Sequence, residues 1–305
     1  AIKSDILVID EAQKIDNIGL SLKLIFDNLS VKIITSGSAS FDLSNKLSES
    51  LTGRTKTFWL YPLAYSEVAD RYGKISGETA LEEMLRYGMY PKVHELIGNQ
   101  DKENYLYEYL SNYLYKDILS FSGVRKPKKI IDLLTLLALQ IGKEVKISEL
   151  AQNLSISQKA VENYLDVLEK MFVLMNLRGF SRNLRKEISK TSKYYFFDVG
   201  LRNALIRNFN PLNLRSDAGE LFENWFVMEK IKAADIFDRT ANFYFWRTYD
   251  QQEIDLIEER AGKLYGYEAK WSKAKTKKPA EWLRAYSNSQ FETVNNKNYQ
   301  KFFIN

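Results

Sequence analysis

Ile6-Leu7-Val8-Ile9-Asp10-Glu11 is a run of four apolar residues that ends in two carboxylates. Without polar alternation, such a run reads as a strand buried on both faces, delivering its last two residues to the carboxyl edge of a parallel sheet. Working outward, an amphipathic helix is expected around Leu20 to Leu29. A second apolar strand, Val31-Lys32-Ile33-Ile34-Thr35, then runs into Ser36-Gly37-Ser38. Two polar strand tips are thereby expected side by side. Neighbouring carboxylates at such an edge suit a nucleotide hydrolase, where an Asp holds the Mg²⁺ shell and the adjacent Glu polarises the attacking water. The plainer alternative is that Asp10 caps the helix that follows.

The chain has 305 residues, enough for two or three domains, and its 45% hydrophobic and 27% charged residues belong to a folded protein, not a disordered one. Lys+Arg of 44 against Asp+Glu of 39 leaves +5, which permits nucleic-acid binding without requiring it. There is no Cys, so disulfides, thiolate metal sites and cysteine nucleophiles are excluded, and the single His94 excludes any mechanism built on two imidazoles. His94 has no catalytic neighbour in sequence and reads as structural. The most apolar run, Ile130 to Ile141, carries Asp132 and Gln140 and is shorter than the roughly 20 residues a membrane span needs. A cytoplasmic protein without membrane contact is therefore expected. The chain opens at Ala1 almost directly on a strand, so its natural start is expected upstream.

Farther on, Leu51-Thr52-Gly53-Arg54 is followed by Leu60-Tyr61-Pro62-Leu63-Ala64-Tyr65-Ser66-Glu67-Val68. Later come Tyr87-Gly88-Met89-Tyr90-Pro91, Tyr115-Lys116-Asp117-Ile118-Leu119 and Phe180-Ser181-Arg182-Asn183. In this order the segments resemble the prokaryotic AAA-type ATPases that carry a C-terminal domain of formerly unknown function. The resemblance covers essentially the whole chain. It implies Asp10 as the Mg²⁺-associated, nucleotide-binding carboxylate, Glu11 as the water-activating base, Ser36 or Ser38 as the sensor and Arg54 as an arginine finger. ATP and Mg²⁺ are the implied cofactors. A homo-oligomer is the arrangement that would set Arg54 beside a neighbour's nucleotide.

One departure matters. A phosphate-cradling loop needs Gly, four residues, then Gly-Lys-Ser/Thr. The Gly-Lys pairs here, Gly73-Lys74, Gly142-Lys143 and Gly262-Lys263, are followed by Ile75, Glu144 and Leu264, and none has a glycine five positions before its own. ATP is thus expected as a partner only of a longer parent that supplies the loop upstream.

Glu67 to Leu119 reads as helical, with Tyr87, Tyr105, Tyr107, Tyr109, Tyr113 and Tyr115 expected to cover a core. Arg125-Lys126-Pro127-Lys128-Lys129 reads as a linker. From Ile147 to Leu165 the spacing is that of a helix-turn-helix, with Ser155 where such turns often carry glycine. Val173 to Leu177 and Lys193 to Phe197 then read as two strands of a wing. Lys159, Arg178, Arg182, Arg185 and Lys186 are the candidate nucleic-acid contacts, aimed at phosphates more than at bases, with Lys190 beside them. A wing serving as a protein-contact module is the alternative.

Near the end, a helix from Gly219 is followed by strands over Asn242 to Arg247, Glu253 to Glu259 and Lys263 to Trp271. This order resembles the PD-(D/E)XK nuclease-like fold, and Asp255, Glu268 and Lys270 match its acid, acid-x-Lys motif. A two-residue turn at Ala261-Gly262 pairs residues whose numbers sum to 523, which sets Asp255 opposite Glu268 with Cβ atoms roughly 5 Å apart. Asp255 and Glu268 are the expected metal ligands, Lys270 the catalytic cation, and Glu223 a third acid. The alternative pairs Lys270 with Glu268 in a site that no longer cleaves. Lys273, Lys275, Lys277 and Lys278 form a basic rim beyond.

The expected architecture is an α/β multidomain chain. A partial AAA-type P-loop core (1–66) and a helical extension (67–124) precede a winged helix (125–215) and a restriction-endonuclease-like α/β domain (216–305). The leading functional expectation is an ATPase-family protein associated with DNA. A metal-dependent DNA nuclease and a non-catalytic DNA- or protein-binding adaptor are the alternatives.

Overall fold

Local sequence explains where most elements begin and end. In the computed structural model, which describes residues 5–37, 51, 53–72, 78–120, 126–181, 192–248, 252–272 and 278–303, the chain is mixed α/β. β1 (Ile6–Ile9) and β2 (Lys32–Thr35) pair in parallel with Ile9 beside Thr35, connected through α1 (Ile18–Asn28). Side chains alternate along a strand, so Leu7, Ile9 and Ile33 turn toward a small core of Ala12, Ile18, Leu22 and Leu51. The opposite side is open: Val8 is 65% and Ile34 54% exposed. Burial on both faces, expected from the apolar run, is not met among the described residues, because a pair of strands with one helix can cover one face only.

A helical middle follows: α2 (Tyr65–Tyr72), α3 (Glu78–Tyr87), α4 (Pro91–Glu95) and α5 (Asn99–Tyr109), then a π-helical turn at Leu110–Leu114 and α6 (Tyr115–Ser120). Tyr87 is buried, and Tyr105, Tyr107, Tyr109 and Tyr115 lie against the same core, while the Tyr113 side chain lies outside what is described. Pro127 then opens α7 (Pro127–Leu139), where a missing N–H costs nothing. α8 (Ile147–Leu154) stops at Ser155, which adopts the left-handed conformation (φ 52°) that glycine would take more easily. α9 (Gln158–Lys170) starts where Ser157 accepts a hydrogen bond from the Ala160 amide.

Seven strands form one continuous mixed sheet in the order β3-β5-β4-β6-β7-β8-β9. They are β3 (Glu144–Val145), β4 (Leu174–Gly179), β5 (Ser192–Phe196), β6 (Asn242–Arg247), β7 (Glu253–Arg260), β8 (Lys263–Lys270) and β9 (Ser289–Asn295). The two strands expected as a wing, β4 and β5, pair antiparallel and continue into the later strands. A short parallel contact joins them, Arg178 to Tyr244 and Gly179 to Phe245. Among the described residues, three further α-helices are α10 (Val199–Leu205), the long α11 (Ala218–Ile236) and α12 (Ala280–Ala285). α11 brings Phe222, Trp225 and Phe226 into the main core.

Two of the motif stretches are anchors in this fold. Tyr65 meets Trp225, Tyr299 and Phe303 at ring distances of 5.4–6.3 Å. Beside them Glu229 accepts the Tyr65 amide at 2.6 Å, and the Lys232 ammonium donates to the Leu63 carbonyl at 3.0 Å. The Pro62-to-Val68 stretch is thus fastened to α11. Similarly, Asp198 caps α10 by accepting from Leu201 N at 3.0 Å and reaches across to accept from Met89 N at 2.6 Å. Tyr87-Gly88-Met89 is thereby pinned against α10.

Candidate functional site

The amino-terminal candidate is built by the parallel register. Because Ile9 lies beside Thr35, the residues just beyond both strands meet, and the Ser36 hydroxyl donates to Asp10 Oδ1. Backbone bonds brace this corner, from Ser36 N to the Ile9 carbonyl at 3.0 Å and from Ala12 N to the Ser36 carbonyl at 2.9 Å. Glu11 turns the chain in the left-handed conformation (φ 52°), and its carboxylate pairs with Lys14 at 3.0 Å. Asp10 makes no helix cap: the 3₁₀ turn at Ala12–Lys14 begins after Glu11 and has no side-chain cap. A carboxylate and a hydroxyl that touch are oxygen donors of the kind Mg²⁺ takes, so Asp10 and Ser36 fit that ion. Arg54 pairs with Asp27 of its own chain at 2.7 Å and lies over the Phe26 ring. Ser38 lies outside the described residues.

The carboxyl-terminal candidate is built by the β7–β8 hairpin. Its observed pairs, Leu256 with Tyr267 through Arg260 with Lys263, follow the register expected from the two-residue turn. One step further along, that register sets Asp255 opposite Glu268. Asp255 is buried and accepts the Ala269 amide on Oδ2 at 2.8 Å. Glu268 Oε1 pairs with Lys270 at 2.6 Å, while Glu268 Oε2 is buried with no hydrogen-bond partner.

Sequence reasoning missed half of this centre. Lys193 on β5 is 2% exposed and its ammonium lies 3.1 Å from Glu223 Oε1 and 2.6 Å from Glu253 Oε1. Tyr195, two residues along and so on the same face, donates to the same Glu223 oxygen at 2.6 Å. The available signal was a lone lysine inside the aromatic strand Lys193-Tyr194-Tyr195-Phe196-Phe197.

The electrostatics follow from burial and crowding. Burial raises the Asp255 carboxyl well above its ordinary range, and the charges of Glu223 and Glu268 add to this against the opposing Lys193 and Lys270. Glu268 is also raised, by burial first, with Glu223 and Glu253 pushing the same way and Lys270 opposing. Burial works against a charged Lys193, but Glu223, Asp255 and Glu253 outweigh it and hold the ammonium above its usual range. For a divalent metal the donor set is short. Among the described residues no group of three or more His, Cys, Asp or Glu side chains could hold one. One oxygen of Glu268 is taken by Lys270 and one of Asp255 by the Ala269 amide, so with Lys193 on Glu223 and Glu253 the pair of Asp255 and Glu268 offers too few free oxygens to fit Mg²⁺ in this arrangement.

The third candidate is the exposed side of α9. Gln158, Lys159, Glu162 and Asn163 face solvent, and Lys159 is 3.5 Å from Glu162. Arg178 is exposed on β4, whereas Arg182, Arg185, Lys186 and Lys190 lie outside the described residues, as do Lys273, Lys275 and Lys277.

Comparison with known proteins adds to these geometries. Residues 1–69 match an AAA domain, 78–212 a domain of unknown function (DUF8612) and 218–300 a second domain of unknown function (DUF4143). The matches support an AAA-type ATPase-like family. The AAA match contains the Asp10–Ser36 corner, and the DUF4143 match contains Glu223, Glu253, Asp255, Glu268 and Lys270.

Uncharacterized proteins of Mycobacterium tuberculosis and Mycobacterium bovis are each 30% identical over 273 residues, covering 88% of this chain and 59% of the relative. An uncharacterized protein of Methanocaldococcus jannaschii is 28% identical over 267 residues, covering 82% of this chain and 58% of its own length. The chain thus spans less than two thirds of the length of these relatives. No solved structure matches significantly. No described helix is long and apolar enough to cross a membrane.

Proposed function

We propose that residues 5–37 form the acid-bearing edge of an AAA-type nucleotide site and that the full-length protein hydrolyses ATP there. The observation that carries this reading is the Ser36–Asp10 contact at the joint end of two parallel strands, with Glu11 next in the chain. A phosphate loop from elsewhere in the parent would hold ATP, Asp10 and Ser36 would hold Mg²⁺, and Glu11 would take the proton of the attacking water. The Mg²⁺, when bound, neutralises charge that develops on the phosphates. Glu11 is paired with Lys14 on the surface, a contact worth about 0–1 kcal/mol and readily exchanged. The same holds for Arg54 and Asp27, so Arg54 can leave its carboxylate to reach a neighbouring subunit's nucleotide. In the full-length protein, Glu11→Gln is expected to lower steady-state ATP turnover by about 100-fold while nucleotide binding persists. An unchanged turnover overturns the assignment.

Two finer features of the fold belong to this proposal. α8 and α9 with β4 and β5 are read as a winged helix. α11 with β6 to β9 is read as a PD-(D/E)XK nuclease-like unit. The ion pairs of Lys193 and Lys270 with the acids favour a second reading for this half of the chain, a non-catalytic adaptor that binds DNA or protein, over a metal-dependent nuclease. With Lys159 and Arg178 as phosphate contacts, duplex DNA binding followed by fluorescence anisotropy is expected to weaken steeply as salt rises. Affinity that does not change with salt removes the phosphate contacts from this reading.

A further inference from the structure

The acid, acid-x-Lys pattern has no place for Lys193, yet Lys193 is the most enclosed cation of the carboxyl-terminal centre. It arrives from β5, which β4 and β6 separate from β7 in the sheet order. Between them β4 and β6 pair only at Arg178–Gly179 with Tyr244–Phe245, and the Lys193 ammonium still lies 2.6 Å from Glu253 on β7. There one ammonium is shared between Glu223 on α11 and Glu253 on β7, beside Asp255.

We propose that the Lys193 ammonium stands in the place of a divalent cation in this centre, tying β5, α11 and β7 together and leaving a metal too few oxygens to bind. The chemistry is a substitution of charge. Carboxylates crowded into a buried space need a positive partner, and either a metal ion or a buried ammonium provides it. A hard divalent cation takes six or more oxygen ligands, waters among them, and needs free carboxylate oxygens to anchor it. Here Lys193 occupies one oxygen each of Glu223 and Glu253, Lys270 one of Glu268, and the Ala269 amide one of Asp255. The buried Glu268 Oε2, left without a partner, is the oxygen that a metal would engage once Lys193 is removed. The inference rests on this geometry alone. It is independent of the ATPase reading and competes directly with the nuclease reading.

The test is a Mn²⁺ titration of the 305-residue chain by calorimetry, with thermal unfolding in the presence and absence of Mn²⁺. Wild type and Lys193→Met are compared. Methionine keeps the apolar stem, whose ammonium lies 5.6 Å from the Phe245 ring centre, and removes the charge. Wild type is expected to show no saturable Mn²⁺ site that depends on Asp255, so that its Mn²⁺ titration and any Mn²⁺-dependent gain in melting temperature match those of Asp255→Asn. Lys193→Met is expected to bind one Mn²⁺ at least about tenfold more tightly than wild type and to be stabilised by it, as any ligand selective for the folded state does.

A wild-type site lost in Asp255→Asn overturns the proposal and favours the nuclease. A folded Lys193→Met that ignores Mn²⁺ also overturns it. Should Lys193→Met unfold without metal, recovery on adding Mn²⁺ supports the proposal and failure to recover sinks it, while the comparison of wild type with Asp255→Asn decides without the Lys193 variant.

Discussion

Asp217→Ala is expected to destabilise the chain by about 3–5 kcal/mol, the scale of leaving buried cations without their counter-charge. Asp217 holds two arginines at once. Its Oδ2 lies 2.5 Å from Arg202 Nη1, and its Oδ1 accepts from Arg215 Nε at 2.8 Å. Both guanidinium groups are enclosed, with side-chain exposures of 2% and 0%. Other donors of the pair go to the Ala138 carbonyl, the Asn208 carbonyl and Asn203 Oδ1, which keep both arginines in place when Asp217 is lost.

The pH dependence has a definite sign. Burial alone would raise the Asp217 carboxyl, but hydrogen bonds and charge from Arg215 and Arg202 overcome it and hold the group well below the usual carboxylate range. A depressed folded value means that the unfolded chain binds the proton more readily. The contribution is complete above the unfolded value of about 3.9 and is lost as pH falls through the lower folded value. Urea midpoints at pH 7 and near pH 3 measure both effects. The wild-type advantage over Asp217→Asn is expected to shrink at the lower pH. A difference below about 1 kcal/mol at pH 7 contradicts the account.

Gly88→Ala and Gly200→Ala are each expected to cost about 3 kcal/mol, from overpacking at a site that cannot relax. Gly88 has φ +78°, a conformation that L side chains rarely adopt, and a Cβ there would overlap the Asp198 carboxylate. Gly200 is the other half of the same crossing: its Cβ would overlap the Tyr87 carbonyl, which is backbone and cannot rotate away. Either methyl group pushes α10 off the Tyr87–Met89 stretch and breaks the 2.6 Å bond from Met89 N to Asp198. Leu63 N donates to the Met89 carbonyl at 2.8 Å, so the damage reaches the Pro62-to-Val68 stretch that is fastened to α11. Gly219→Ala is the control. It lies in the first turn of α11 with nothing near its Cβ, and is expected to be neutral or stabilising by up to about 1 kcal/mol. Melting temperatures of the three variants separate crowding at the crossing from the general effect of replacing glycine. Equal shifts in all three contradict the crossing.

Local chemistry was legible. Ser155 stands where glycine is common in such turns, and it takes the left-handed conformation. The Ala261-Gly262 turn set the hairpin register correctly because a two-residue loop leaves one way of pairing the strands. Ser36 and Asp10 were expected as neighbouring tips, and they touch. Less legible was the role of Tyr87-Gly88-Met89, visible as a motif but explained only by Asp198, which lies far along the chain. The apolar run at Ile6–Ile9 reads identically whether one or both faces are covered, so exposure of Val8 could not be foreseen.

What the sequence by itself determined was what short-range periodicity and turn chemistry carry: β1 and β2, the turn at Ser155, and the β7–β8 hairpin with the register that sets Glu268 and Lys270 on one face opposite Asp255. Only the tertiary structure decided that Lys193 and Tyr195 enter the same centre, that Arg54 rests on Asp27, and that strands of the expected wing continue into the later sheet. The reason is physical. A hairpin's register is imposed by its own turn. The approach of β5 to β7 depends on the β4–β6 pairing and on α11 lying above both, and contacts between such distant segments leave no periodic mark on the chain.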